Sequence, residues 1–137
     1  MRAWAAAHPL DAIISADGDA DRPLVTDATG EVIAGDILDT LTAIALEADT
    51  VVTPVSSNTM VEATGAFTRI IRTRIGSPYA IAAMEQALTA PCKPVGFEAN
   101  GGFLLGFDAT RNGQTLSRLM TRDAVLPIVS VLTTAAR

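Results

Sequence analysis

The sequence predicts an α/β layered domain built on a mixed sheet. Short β-branched runs alternate with stretches of helical apolar spacing between positions 50 and 90, the pattern of strand–helix–strand units. Beyond them, residues 93–98 and 103–107 flank Asn100-Gly101-Gly102. That tight-turn signal reads as a hairpin and makes the sheet mixed rather than purely parallel. The chain has 137 residues, 49% apolar and 18% charged, with a mean hydropathy of +0.34. This is enough for one core and too apolar for intrinsic disorder.

Each element has a local reason. Residues 1–9 are Ala-rich and favour helix. Residues 12–16 form a short apolar run ending in Asp-Gly, read as a buried strand, and Pro23-Leu24-Val25-Thr26 resumes extended structure. Asp27-Ala28-Thr29-Gly30 is a turn. From 34 to 48, Ile37, Leu38, Leu41, Ile44 and Ala45 recur at helical spacing, with Asp36 suited to the helix start. Residues 50–55 are a strand, 57–66 a short helix and 68–73 a strand; 77–90 is a helix with Pro78 in its first turn. After the hairpin, 110–113 reads as a loop. Residues 117–135 read as the last helix, with a break expected near Pro127.

Ten basic residues against fifteen acidic ones give a net charge of −5, which disfavours a general nucleic-acid binder. The imbalance is local. Positions 11–49 hold ten acids and one base, Arg22, whereas positions 50–137 hold five acids and eight bases. An acidic segment of this kind suggests a cation site or a solvated acidic face. No apolar run reaches a membrane span, and the first ten residues make a poor signal peptide. A single cysteine, Cys92, allows no internal disulfide, so a reducing cytoplasm is the expected location.

The sharpest feature is Asp17-Gly18-Asp19-Ala20-Asp21-Arg22. Three carboxylates at alternate positions would repel on one strand face, but in a loop they can wrap one hard cation. Small spacers let the backbone curl, and oxygen ligands select Mg²⁺, Mn²⁺ or Ca²⁺ over Zn²⁺. An EF-hand starting at Asp17 is rejected, because its sixth and twelfth positions hold Arg22 and Ala28. A haloacid-dehalogenase-type phosphatase, with a strand followed by Asp-x-Asp, stays as an enzyme alternative, although Asp21 is unusual for it. The purely structural alternative is an acidic turn. Arg22 can neutralise the carboxylates or hold a phosphate that shares the metal.

With these residues the sequence resembles the α-D-phosphohexomutases, the phosphoglucomutase and phosphomannomutase family. Asp17–Arg22 looks like that family's metal loop. Gly30-Glu31-Val32-Ile33 and Gly35-Asp36-Ile37-Leu38 look like the segment joining its second and third domains. Arg72-Thr73-Arg74-Ile75-Gly76-Ser77 resembles the Thr-x-Val-Gly loop, and Gly96-Phe97-Glu98-Ala99-Asn100-Gly101-Gly102 the sugar-specificity loop, usually Gly-Glu-x-Ser-Gly-His. The resemblance spans positions 11–137. It implies a three-layer α/β/α sandwich with a mixed four-stranded sheet, the last strand antiparallel. Residues 1–30 would be the end of domain 2, and 31–137 domain 3, of a four-domain enzyme.

The resemblance also implies function: interconversion of hexose 1-phosphate and hexose 6-phosphate (mannose or glucose) through a phosphoserine and Mg²⁺. Asp17, Asp19 and Asp21 would hold Mg²⁺, and Arg22 would contact the phosphoserine. Glu98 would accept hydrogen bonds from sugar hydroxyls, helped by Asn100, with Gly76 and Ser77 facing the sugar. Asn100 stands where Ser is usual and Gly102 where His is usual. The phosphoserine loop is absent from these 137 residues: Ser56-Ser57-Asn58-Thr59 has no His and reads as a helix cap. The fragment is therefore expected to be inactive alone, to need the missing domains of the same enzyme, and to self-associate through uncovered apolar surface. The non-enzyme alternative is a metal and sugar-phosphate binding module. Ser77 also reads as the N-cap before Pro78, and Arg72 and Arg74 as sharing an exposed strand face. Trp4 and Tyr79 read as packing residues, His8 as incidental.

Overall fold

A computed structural model describes residues 1–136; Arg137, the last residue of the expected 31–137 segment, lies outside the described residues. After a short helix α1 (Arg2–Ala7), β1 (Ile14–Ala16) and β2 (Pro23–Val25) form an antiparallel two-stranded ribbon. Helix α2 (Gly35–Ala45) leads to β3 (Thr50–Pro54), α3 (Met60–Ala63), β4 (Arg69–Thr73), α4 (Ser77–Ala87) and β5 (Pro94–Phe97). The chain then forms β6 (Phe103–Leu105), a small hairpin of β7 (Ala109–Arg111) and β8 (Gln114–Leu116), β9 (Leu119–Asp123) and α5 (Val125–Ala135).

The central sheet has the order β4-β3-β5-β6-β9. Strands β4, β3 and β5 are parallel; β6 is antiparallel to β5, and β9 antiparallel to β6. The expected mixed sheet is present with five strands instead of four. β3 is buried along its whole length, as its near-continuous apolar run requires of a parallel strand covered on both faces. Alternation along the strands sorts the core into two layers. Val51, Val95, Phe97, Phe103 and Leu105 pack with Ala43 of α2 and Val61 of α3. Val52 and Leu104 pack with Ala80 and Met84 of α4 on the opposite face. Helix α5 joins the first layer, where Ile128, Leu38 and Val25 tie the ribbon to the domain.

Several expectations are corrected. β1 is exposed along its length, because the ribbon meets the helices through Val25 of β2 and not through β1. Residues 57–66 hold only one turn of helix, α3. The expected loop at 110–113 is the β7–β8 hairpin, whose Asn112-Gly113 turn has positive φ at both residues (51° and 75°). That is the backbone of a type I′ turn. Residues 117–135 are not one helix: β9 takes the free edge of β6 before α5 begins. Pro127 lies in the first turn of α5, where a missing N–H breaks no bond, so no break occurs there. Trp4 is half exposed and stacks on His8, and Tyr79, also exposed, lies under the Arg74 guanidinium; neither packs in the core.

The buried face of α2 is unusual. It carries Asp36, Asp39, Thr40 and Thr42 beside Leu38 and Ala43, while Leu41 and Ile44 face outward. The Asp36 carboxylate accepts the Asn58 N–H at 2.7 Å. Both carboxyl oxygens of Asp39 are buried without a hydrogen-bond partner among the described residues.

Candidate functional site

The acidic loop is the connection between β1 and β2. Asp17 organises it: one carboxylate oxygen accepts the backbone N–H of Asp21 and of Arg22, both at 3.2 Å. The Ala20 N–H donates to the Asp17 carbonyl at 3.0 Å, and Ala20 takes φ of 59°. The curl brings Asp17, Asp19 and Asp21 together, with one carboxylate oxygen of each inside a 4.8 Å span. The Arg22 Nε pairs with Asp17 and lies 3.2 Å from Asp21 Oδ1. Burial alone would raise the Asp17 pKa. The backbone N–H groups of Arg22 and Asp21 and the Arg22 charge outweigh it and hold the carboxyl below its ordinary value. Arg22 is shifted upward, chiefly by the charge of Asp17 and then by its hydrogen bond to Asp21.

The residues present fit a hard divalent cation. The donors are all carboxylate oxygens, the type such ions take. Asp17 Oδ2 is buried and, though within ion-pair reach of Arg22, has no hydrogen-bond partner among the described residues.

The second cluster stands at the carboxyl ends of the parallel strands. Glu98 follows β5, and its Oε1 accepts the Gly76 N–H, which follows β4, at 2.9 Å. Asn100 lies 3.5 Å from Glu98 Oε2 through its Nδ2, and its Oδ1 accepts the Gly102 N–H at 3.1 Å. The Gly101 N–H closes the turn on the Glu98 carbonyl at 3.0 Å. Glycine at position 35 lets α2 abut this hairpin, since a Cβ there would stand 2.4 Å from the Gly101 nitrogen. The crevice beyond the carboxyl ends of parallel strands is where open α/β sheets bind ligands.

Ser77 is the first residue of α4 rather than its cap; Gly76 holds the N-cap position, without a side-chain cap bond. Arg72 is not a solvent-facing partner of Arg74. It binds Glu62 and the carbonyls of Pro54, Ser57 and Asn58, fastening the turn after β3. Thr59 holds the N-cap position of α3 without a side-chain cap bond, and Asn58 just before it accepts the Met60 N–H at 2.8 Å.

Sequence reasoning missed Arg122, which joins the two clusters. Its guanidinium pairs with Asp21 and lies 3.9 Å from Glu98 Oε2. Only its place in β9 puts it there, and the expected helix over 117–135 hid that.

Fold and site define a class: a three-layer α/β/α domain whose parallel strands end beside a carboxylate hairpin and a three-aspartate loop. The profile of the phosphoglucomutase/phosphomannomutase alpha/beta/alpha domain III matches residues 27–137, and the chain belongs to that family. It is 48% identical over 133 residues to a phosphomannomutase of Sinorhizobium fredii, covering 96% of this chain and 28% of that protein. A phosphomannomutase of Salmonella muenchen is 48% identical over 129 residues, covering 94% and 27%. A phosphoglucosamine mutase of Frankia casuarinae is 33% identical, covering 96% and 28%. The chain thus spans little more than a quarter of the length of these relatives. Among solved structures, a phosphoglucomutase/phosphomannomutase family protein of Burkholderia thailandensis superposes with a TM-score of 0.64 at 18% identity, covering 96% of this chain and 27% of that one. A serine-to-alanine variant of Aspergillus fumigatus N-acetylphosphoglucosamine mutase, in complex with glucose 1,6-bisphosphate, gives 0.66 at 19% identity, covering 93% and 31%. These two likenesses are of fold. Family membership removes the haloacid-dehalogenase alternative.

Proposed function

We propose that residues 1–30 are the end of domain 2, and residues 31–137 domain 3, of a phosphohexomutase. The enzyme interconverts hexose 1-phosphate and hexose 6-phosphate, of mannose or glucose, through a phosphoserine supplied by another domain. The observation that carries this reading is the convergence of the acidic loop and the Glu98 hairpin on one guanidinium, Arg122.

Asp17, Asp19 and Asp21 are the Mg²⁺ ligands. The ion supplies neutralisation of charge on the transferred phosphoryl group, a reaction governed by positioning and electrostatics. Asp17 shapes the loop through two backbone N–H bonds, so the carboxylates are arranged before the cation arrives. Arg22, anchored to Asp17 and Asp21, presents remaining donors to the phosphoserine. Glu98 accepts bonds from sugar hydroxyls with Oε2, while Oε1 stays on the Gly76 N–H. Charge-assisted bonds of this kind are about twice as strong as neutral ones. Asn100 adds a donor and an acceptor, and Gly76 and Ser77 form the facing wall. The 137 residues contain no Ser-His pair, so the chain alone does not turn over.

An amide NMR titration of the chain tests this, first with Mg²⁺ and then with mannose 1-phosphate. Shifts at positions 17–22 with the metal and at 76–77 and 96–102 with the sugar are expected. Mutase turnover by the pure chain, or shifts with neither ligand, would overturn the proposal.

A further inference from the structure

Arg122 has no part in the reaction as described so far, yet its position is built. It lies next to the end of β9, with Asp123 opposite Phe103 of β6. From there its side chain runs past Gly102. A Cβ at position 102 would meet Arg122 Cδ at 2.6 Å and Cγ at 3.1 Å. The missing side chain at 102 is therefore the passage through which the arm reaches the two loops. At its end the guanidinium pairs closely with one carboxylate, Asp21, and stays 3.9 Å from the second, Glu98. A guanidinium has five donors in a planar fork. One close pair leaves donors free between the loops, on a side chain 31% exposed.

We propose that Arg122 receives the phosphoryl group of a sugar phosphate seated between the acidic loop and the Glu98 hairpin. Until that ligand arrives, it serves as counter-ion to Asp21 and competes there with a divalent cation. The proposal rests on the function proposed above. A fixed positive charge beside the aspartates disfavours a second cation by direct repulsion. A phosphate between the cation and the guanidinium is attracted to both, and Arg suits its geometry. Arg122 thus opposes metal binding alone and favours binding of the phosphosugar. A residue that merely held the loops together would support both.

The test is calorimetric titration of the chain with Mg²⁺ alone, then with glucose 1-phosphate in the presence of Mg²⁺, and with unphosphorylated glucose as the control. Amide spectra verify that each variant is folded. Arg122→Gln is expected to bind Mg²⁺ more tightly and glucose 1-phosphate about tenfold or more weakly, the scale of one lost charge-assisted bond. Gly102→Ala keeps the charge and pushes the arm aside, and is expected to weaken glucose 1-phosphate as well. Arg122→Lys is expected to recover part of the loss. Weaker binding of both ligands by Arg122→Gln, or unchanged binding of glucose 1-phosphate, would overturn the assignment. If the wild-type chain binds neither ligand, the proposed function fails and this inference with it. If the wild type binds both and Arg122→Gln matches it, the Arg122 assignment alone fails.

Discussion

Replacing Asp39 by Asn should stabilise the chain at neutral pH. Asp39 is fully buried on α2, and neither carboxyl oxygen has a hydrogen-bond partner among the described residues. Burial, and then the charge of Asp36, push its pKa well above the ordinary 3.8. The folded chain keeps the proton where the unfolded chain releases it. Stability is therefore fully present below the unfolded value and falls as pH rises toward the folded one. The slope in that interval is up to about 1.4 kcal/mol per pH unit. Asn is nearly isosteric and neutral at every pH, so its stability has no such slope. Near pH 4 the two chains should agree within about 1 kcal/mol, since each buries one unsatisfied polar group. Above that, the variant should gain up to about 1.4 kcal/mol over the wild type for each unit, a large share of the ~5–15 kcal/mol a domain has. Urea unfolding at pH 4, 5, 6 and 7, with equal m-values, reads the difference. Parallel stability curves for the two chains would refute the reasoning, because they would mean that Asp39 ionises alike in both states.

Other outcomes follow from the same structure. Asp19 is exposed and, unlike Asp17, shapes no backbone. Asp19→Asn should weaken Mg²⁺ by about tenfold or more while changing unfolding free energy by less than about 0.5 kcal/mol; calorimetry and urea melts check the two halves. Arg72→Met leaves three carbonyls and Glu62 without their donor; it should cost roughly 2 kcal/mol, seen as a lower thermal midpoint by circular dichroism. Ile14, Leu41, Ile44, Val125 and Val129 are all exposed. Light scattering at high concentration should therefore give a mass above the 14.2 kDa monomer, and a strictly monomeric chain would count against these residues forming a sticky surface.

The β3–α3–β4–α4–β5 succession was legible because each piece carries its own local signal. β3 is apolar on both faces, α4 opens with Pro78, and β5 ends in a glycine turn. The acidic loop was legible because few structures need three carboxylates at alternate positions. Position 117 onward was not. Leu119–Asp123 has no strong strand alternation and runs directly into the apolar α5; what makes it a strand is the open edge of β6, a tertiary cause. Arg122 was lost with it. The α2 spacing identified a helix but not its inner face, since Asp36 and Asp39 go inside while Leu41 and Ile44 stay out. The hairpin at Asn112-Gly113 was read only as a loop, although that dipeptide between two short extended runs is a strong hairpin signal.

That hairpin has a practical consequence. Among the described residues, β7 and β8 pair only with each other, β8 is exposed throughout, and a Cβ at Gly113 would meet nothing within 4 Å. Exposed loop tips are where chains best accept inserted sequence. A peptide tag or small reporter domain spliced between Asn112 and Gly113 would hang from the two-stranded arm, outside the five-stranded sheet. It offers an attachment point for immobilising or labelling the protein while the aspartate loop and the Glu98 turn remain open.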